Sequence, residues 1–179
     1  MKNYILSTLF IVFMQTYESQ PYRVISTVDN VEIRFYPPAT KVSVEGSLRS
    51  NSNFNALFQY ISGKNSESEK IAMTTPVYMQ NSKEKQRMEF VLPSKFVNSN
   101  APQPLQEDVK VYTSKAAHFA AIRFGGYSNS SKVESNTIRL MSVLKAENVE
   151  VIGEPILLSY DAPYKFYNRR NEILVEIAY

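Results

Sequence analysis

The chain has 179 residues, which suits a single domain large enough to bury its own core. It contains no cysteine, which excludes a disulfide framework, a thiolate metal site and a cysteine nucleophile. The net charge is only +3 and the basic residues are scattered, so we predict no nucleic-acid partner. The chain has 12 tyrosines and 10 phenylalanines, which is typical of a β-rich core and also of a site for a flat aromatic ligand.

The N-terminus carries an uncharged, largely apolar run from Tyr4 to Met14, directly after Lys2. The run is too short for a membrane span and fits the apolar region of a secretory signal. We therefore predict a signal peptide over residues 1–19 and an exported domain, periplasmic or secreted, over 20–179. No stable membrane span is expected after the leader is removed. The alternative is a buried N-terminal strand or helix in a cytoplasmic protein.

Strand and helix patterns alternate along the first half of the chain. Apolar residues alternate on both sides of Pro37-Pro38, which predicts two half-buried strands within 31–46. Two further strands are predicted over 70–79 and 87–93. Pro76 interrupts the first of these and should mark where that strand bends or begins to pair.

A helix is predicted between these two pairs of strands, with Gly63 at its C-terminal end. Its apolar residues recur at the i, i+3, i+4 and i+7 spacing of one helix face. They are Phe54, Leu57, Phe58 and Ile61.

The same order of elements restarts after a polar, proline-containing linker at 98–104. Two strands are predicted within 109–126, and an S-x-x-E capping signature at Ser131 predicts the start of a second helix. The last two strands are predicted over 154–161 and 172–177, with an aromatic and basic loop between them.

The pattern therefore predicts an internal repeat, in which a strand-strand-helix-strand-strand unit occurs twice, in halves of about 22–97 and 105–179. Landmarks in the two halves lie 79 residues apart, as Gly46 and Gly125 or Pro76 and Pro155 do. Such halves predict an α+β fold: a distorted antiparallel β-barrel with two helices packed outside.

Five segments, taken in order, resemble the SOUL haem-binding protein family over 22–179. They are VEIRFYPPATKVSVEG, FNALFQYISGKN, KIAMTTPV, FGG and YDAPYKFYNRRNEILVEI. The family commonly reads MTAPV where this chain has Thr75 in place of the alanine. The resemblance implies the same α+β barrel with two flanking helices, and non-covalent binding of haem or a related tetrapyrrole.

The resemblance also implies a shallow cleft between the first helix, 54–64, and the loop 161–171. Aromatic side chains there would face the ring, and cations would meet its propionates. The expected binding residues are Phe54, Phe58, Gln59, Lys64, Tyr164, Lys165, Phe166, Tyr167, Arg169 and Arg170. Two alternatives stay open: Phe54 and Phe58 lie on the core stripe of the helix, and Arg169 or Arg170 can pair with Glu172 or Glu176 instead.

His118 is the single histidine and therefore a candidate axial ligand for a haem iron. It lies outside the expected cleft, so a structural role is the alternative, and no metal site is predicted from the chain itself. Tyr60, Tyr164 and Tyr167 are other candidate oxygen ligands.

The sequence carries no nucleophile elbow, phosphate loop or zinc-protease motif, so we predict no enzyme activity. The predicted function is a haem carrier or buffer, with a monomer favoured. The alternatives are an enzyme that acts on a bound tetrapyrrole and a sensor or interaction module for another apolar small molecule.

Overall fold

A computed structural model describes residues 17–47, 52–81, 85–97 and 99–179 of the chain. The apolar run of the N-terminus, and with it most of the predicted signal peptide, lies outside the described residues. The strands in chain order are β1 (Glu18–Ser19), β2 (Arg23–Val28), β3 (Val31–Tyr36), β4 (Thr40–Ser47), β5 (Thr74–Thr75), β6 (Val77–Asn81), β7 (Lys85–Val91), β8 (Val109–Thr113), β9 (Ala117–Gly125), β10 (Ile156–Ser159) and β11 (Arg170–Glu176). The helices are α1 (Ser52–Ile61) and α2 (Ser130–Ala146), with a short 3-10 helix at Ser94–Phe96.

Nine of these strands form one antiparallel sheet in the order β2-β3-β9-β11-β10-β6-β7-β4-β8. The sheet curls into a half-barrel that stays open between β2 and β8, and both helices pack on its outer face. The predicted α+β fold with two outer helices is therefore confirmed. Strands β1 and β5 form a separate parallel pair beside it.

The two halves of the chain exchange strands. Strand β3 pairs with β9 of the second half, and β8 pairs with β4 of the first. Counted inward from β3 or from β8, the corresponding strands of the two halves therefore follow in the same order. Strands β10 and β6 pair with each other at the centre. Because each half supplies a strand to the other, the described sheet is one folding unit rather than two.

The two prolines singled out in the sequence stand immediately before the two central strands. Pro76 precedes β6 and Pro155 precedes β10, so each marks the start of pairing in the main sheet, as predicted. Proline lacks the N–H that a central strand position must donate, which confines it to such ends.

Apolar side chains alternate between the two faces of the sheet. On the outer face, α1 packs Leu57 and Tyr60 against β4 and β7, and α2 packs Leu140 and Leu144 against β9 and β11. The inner, concave face has its own cluster, which includes Tyr36, Tyr78, Leu158 and Leu174.

Within the described ranges, neither helix combines the length and the apolar character needed to cross a membrane.

Candidate functional site

An open hollow of about 270 Å³ lies where α1, strands β5 and β6, and the loop after β10 meet. It therefore lies between the first helix and the loop before the last strand, the two segments expected to form a cleft. We call it the aromatic hollow and define it by its lining. The lining residues are Tyr17, Phe54, Phe58, Met73, Thr74, Thr75, Val77, Ser159, Tyr160, Asp161, Ala162, Pro163 and Tyr164.

The helix side of the aromatic hollow is formed by Phe54 and Phe58, one turn apart on α1. Their rings are stacked, with centroids 6.0 Å apart and planes inclined by 13°. Phe54 is 37% exposed and Phe58 is 50% exposed, whereas Leu57 and Tyr60 of the same helix are fully buried. The apolar stripe of α1 is thus wide enough to fill the core along one edge and to face the hollow along the other.

The loop side of the aromatic hollow is held in place by Arg169. Its buried guanidinium donates hydrogen bonds to the backbone carbonyls of Ala162, at 2.8 Å, and Lys165, at 2.6 Å. The same guanidinium stacks on the ring of Tyr127, 4.8 Å from its centroid. Arg169 therefore organises the loop that presents Tyr164 at the rim, where that side chain is 83% exposed.

A second anchor of this loop is Asp161, which accepts a hydrogen bond from the backbone N–H of Arg170 at 2.6 Å and pairs with the Lys165 ammonium. Burial by itself would raise the pKa of the Asp161 carboxyl. The hydrogen bonds from Lys165 and Arg170 outweigh that effect and hold this pKa below its ordinary value. Asp161 is consequently ionised at neutral pH, and Lys165 balances its charge.

Arg170 lies behind the loop with its cation engaged. It donates to Glu172 at 2.8 Å and to the Tyr22 hydroxyl at 3.1 Å, and it stacks on the ring of Tyr160 at 3.9 Å. Pairing of Arg170 with Glu172 was the alternative to a ligand contact in the sequence analysis, and the structure shows that pair. Of the three loop cations, Lys165 is the one whose side chain forms an ion pair with a carboxylate of the described lining, Asp161.

The remaining expected binding residues lie outside the lining of the aromatic hollow. Gln59 accepts a hydrogen bond from Lys64 at 3.1 Å at the end of α1. Phe166 and Tyr167 point into solvent, 76% and 65% exposed, and their rings contact each other edge to face at 5.3 Å. Neither pair belongs to the described lining of the hollow.

His118 lies on β9, away from the hollow's lining. Its ring packs against Tyr179, at a centroid distance of 4.7 Å, and against Phe35, at 5.3 Å. This packing is the structural role that the sequence analysis held as the alternative to iron ligation. Among the described residues there is no group of three or more acidic, histidine or cysteine side chains placed to hold a metal ion.

Several lining residues were not identified from the sequence. Tyr17 lies within the predicted signal peptide, and Met73 is not among the expected binding residues. Thr75 and Tyr160 carried no signal of their own. The sequence shows that Met73 and Val77 alternate onto one face of their segment. It does not show which face of that segment lies next to a helix.

The composition of the aromatic hollow fits one face of a flat apolar macrocycle. Two phenylalanines, Met73, Val77 and Tyr164 supply apolar and aromatic surface, and Asp161 with Lys165 supplies a neutral polar edge. Binding pockets for whole ligands typically measure about 300–1,000 Å³, so a hollow of about 270 Å³ would cover only part of such a ring.

Comparison with known proteins shows the family to which the chain belongs. A family model described as SOUL heme-binding protein matches residues 17–176. Heme-binding protein 2 of Homo sapiens is 30% identical over 155 residues, which cover 79% of this chain and 75% of the relative. Heme-binding protein 1 of Xenopus laevis is 27% identical over 143 residues, covering 76% and 71%.

Among solved structures, the EcmrR C-terminal domain has the same fold. It superposes with a TM-score of 0.58 at 14% identity, and the match covers 88% of this chain and 98% of that domain. At this identity the likeness concerns the fold alone.

Proposed function

Because the chain belongs to the SOUL haem-binding protein family, we propose that it binds haem or a related tetrapyrrole non-covalently in the aromatic hollow and acts as a carrier or buffer. The observation that carries the proposal is the hollow itself. It joins the two segments that the family resemblance named, and its walls are the exposed faces of Phe54, Phe58 and Tyr164.

The residues of the chain would hold the ligand by stacking and burial rather than by a strong charge clamp. Phe54 and Phe58 offer an apolar face, and Met73 can adapt to an irregular contact. Lys165 is the loop cation that could turn toward a carboxylate edge, at the cost of its pair with Asp161. When bound, haem supplies its own iron chemistry and its visible absorbance.

A carrier is supported over an enzyme by the state of the polar groups in the described lining. Asp161 is paired with Lys165, and the Tyr160 hydroxyl donates to Glu172 at 2.9 Å. General acid or base work needs a group free to exchange a proton with the ligand. These two groups are both engaged, so the lining offers contact surface more readily than proton transfer.

Haem titration of the wild type and of two matched variants tests this proposal. Phe58→Ala removes half of the stacked pair and should weaken haem binding about tenfold, since aromatic contacts of this kind contribute roughly 1 kcal/mol beyond burial. Ile138→Ala removes a similarly exposed apolar residue from α2, 60% exposed, and should leave the affinity unchanged. The Soret absorbance follows binding in each case.

Three results would change the proposal. Equal haem affinity in all three proteins would remove the aromatic hollow as the site. Saturable binding followed by progressive loss of the Soret band with a reductant in air would favour the enzyme alternative. No saturable haem binding at all would favour a module for another apolar small molecule.

We also propose that the chain is exported by its apolar N-terminal run. Tyr17 lines the hollow, Glu18–Ser19 pairs with β5, and the Gln20 side chain accepts a hydrogen bond from the Tyr78 hydroxyl. These contacts support a leader that ends before Tyr17, because removal through Ser19 would delete Tyr17 from the lining of the hollow and would delete β1, the partner of β5. N-terminal sequencing of protein recovered outside the cytoplasm checks this. A first residue of Gln20, or recovery from the cytoplasm alone, would contradict it.

A further inference from the structure

A second open cavity, of about 460 Å³, lies on the outer face of the sheet beside α2. Its floor is apolar and includes Met79, Val133, Leu157 and Ile173. Its polar lining includes Glu134 from α2 and Glu154 from the turn before β10. Nothing in the proposed haem function uses this cavity.

The second cavity is the structural counterpart of the aromatic hollow. At the centre of the sheet, Tyr78 of β6 pairs with Leu158 of β10, and both face the concave side. On either side of this pair, Val77 with Ser159 lines the hollow and Met79 with Leu157 lines the second cavity. The two sites are therefore related by an approximate twofold axis through the central pair.

Six pairs of described lining residues, each 80 positions apart, match between the two sites. Residues 80 positions apart, such as Val77 and Leu157, occupy matching places. At two such places the chemistry differs sharply: Phe54 of the hollow is matched by Glu134, and Thr74 by Glu154. These two positions thus carry an aromatic ring and a hydroxyl in the first half and two carboxylates in the second.

The charge of the second cavity is set by those two carboxylates. Both are exposed, and within the described part of the chain neither Glu134 nor Glu154 takes part in an ion pair or a side-chain hydrogen bond. Among the described residues of the lining there is no lysine or arginine. The positive end of the adjacent helix is already capped, because the Asn129 side chain accepts from the Lys132 backbone N–H at 3.0 Å.

We propose that the second cavity binds an organic cation with an apolar body, for example an amphipathic amine. The apolar part lies on the floor of Met79, Leu157 and Ile173, and the positive group sits between Glu134 and Glu154. A flat apolar floor supplies contact area, while two unpaired carboxylates select the sign of the ligand's charge. The site is separate from the aromatic hollow, so both can be filled at once.

Fluorescence titration of the full chain with berberine, an aromatic cation whose emission rises when it leaves water, tests the proposal. The double variant Glu134→Gln/Glu154→Gln should bind berberine about tenfold more weakly, since two exposed charge contacts each contribute up to about 1 kcal/mol. The control Glu147→Gln/Glu150→Gln makes the same change in net charge beyond the end of α2 and should bind like the wild type. Higher salt should weaken wild-type binding and reduce the difference between the two double variants.

Haem provides the second arm of the experiment. Berberine should bind equally well with haem present in saturating amount, and Phe58→Ala should not alter it. The proposal is overturned by any of three results: no saturable berberine binding below millimolar concentration, equal loss in both double variants, or displacement by haem. Haem affinity is measured separately, so a negative result with berberine does not decide whether the haem proposal is correct.

Discussion

Among the described residues, the most buried charged side chains lie on the concave face and belong to the lining of neither cavity. Glu172 is fully buried and Arg34 is 2% exposed, and they are joined by two hydrogen bonds of 2.6 and 3.2 Å. Arg170 and the Tyr160 hydroxyl also donate to the Glu172 carboxylate. A buried ion is tolerated only when its partners satisfy it, so these four residues depend on one another.

The ionisation of this group follows from its contacts. Burial alone would raise the pKa of Glu172, but the hydrogen bonds and charges of Arg34 and Arg170 lower it below its ordinary value. Nearby, burial raises the pKa of Tyr36 to about 12, so that phenol stays neutral and accepts a hydrogen bond from Arg34 at 3.2 Å. The group therefore holds a charged carboxylate between two cations at neutral pH.

Substitution of Glu172 should cost the fold a large part of its stability. Glu172→Gln leaves Arg170 without its counter-ion and leaves buried Arg34 with the partly exposed Glu32 alone, and the expected loss is about 3 kcal/mol in the free energy of unfolding. Glu45→Gln is the matched control, because the Glu45 side chain is 56% exposed and its ion pair with Arg87 is long, at 3.5 Å. This substitution should change the free energy of unfolding by less than about 0.5 kcal/mol. Urea denaturation measures both. A loss for Glu172→Gln as small as that of the control would contradict the argument.

The same pair of proteins should differ in their response to acid. The folded-state pKa of Glu172 lies below the ordinary value of 4.5, so its stabilising effect is complete above pH 4.5 and declines as the pH falls through the folded pKa. The stability difference between wild type and Glu172→Gln should therefore be constant near neutral pH and shrink in acid. A difference that widened as the pH fell would show that the carboxylate is not the stabilised form.

At the scale of elements, the two walls of the aromatic hollow are held by different forces. Helix α1 is fixed by its buried residues Leu57 and Tyr60, which pack on the sheet. The loop after β10 is fixed mainly by polar contacts, above all those of Arg169 with the loop carbonyls. The loop is consequently the wall that opens at lower free energy.

Arg169→Lys tests that account. Lysine keeps the charge but lacks the planar fork that lets one guanidinium meet several carbonyls. Loss of about 1 kcal/mol in loop hydrogen bonds should raise the open population, and with it the rate of chymotrypsin cleavage near Tyr164–Tyr167, about fivefold. Haem affinity should fall in parallel.

Arg139→Lys is the control for this substitution, because Arg139 is exposed on α2. It should leave both cleavage and haem binding unchanged. An unaltered cleavage rate in Arg169→Lys would mean that the loop is held by other contacts, such as the pair of Asp161 with Lys165.

At the scale of the whole molecule, duplication with strand exchange explains both the single domain and its two sites. Strands β3 and β8 each complete the other half's sheet, and β6 and β10 join the halves at the centre. The approximate twofold axis through Tyr78 and Leu158 relates the cavity beside α1 to the cavity beside α2. The haem site proposed beside α1 and the cation site proposed beside α2 occupy corresponding places in the two halves.

The offset between the halves shows how far sequence comparison reaches. Landmarks such as Pro76 and Pro155 suggest 79 residues, yet the central strands correspond at 80. Side chains alternate across a strand, so a change of one residue moves every side chain to the opposite face. An offset of 79 would match Val77, on the outer face, with Ile156, which packs with the inner cluster. The landmarks locate the halves, and only the strand register aligns their side chains.

The sequence by itself determined both helices, most of the strands and their order, the α+β fold and the two segments that form the hollow, whereas it gave no signal for β2. Periodicity, caps and prolines are local signals, so Pro76 before β6 and the apolar spacing of α1 could be interpreted without a structure. The family resemblance supplied the choice of α1 and the late loop as neighbours. These features do not depend on contacts between residues that are far apart in the sequence.

Tertiary structure alone decided what each side chain does. The sequence leaves open whether Arg169 and Arg170 meet a ligand or pair with a carboxylate, and the structure bonds Arg169 to its own loop and Arg170 to Glu172. Phe54 and Leu57 share a stripe, yet the rotation of α1 against the sheet buries one and exposes the other. Tyr17 reaches the hollow because β1 pairs with β5, 56 residues away in the sequence. Each outcome depends on contacts between distant segments, which local patterns do not encode.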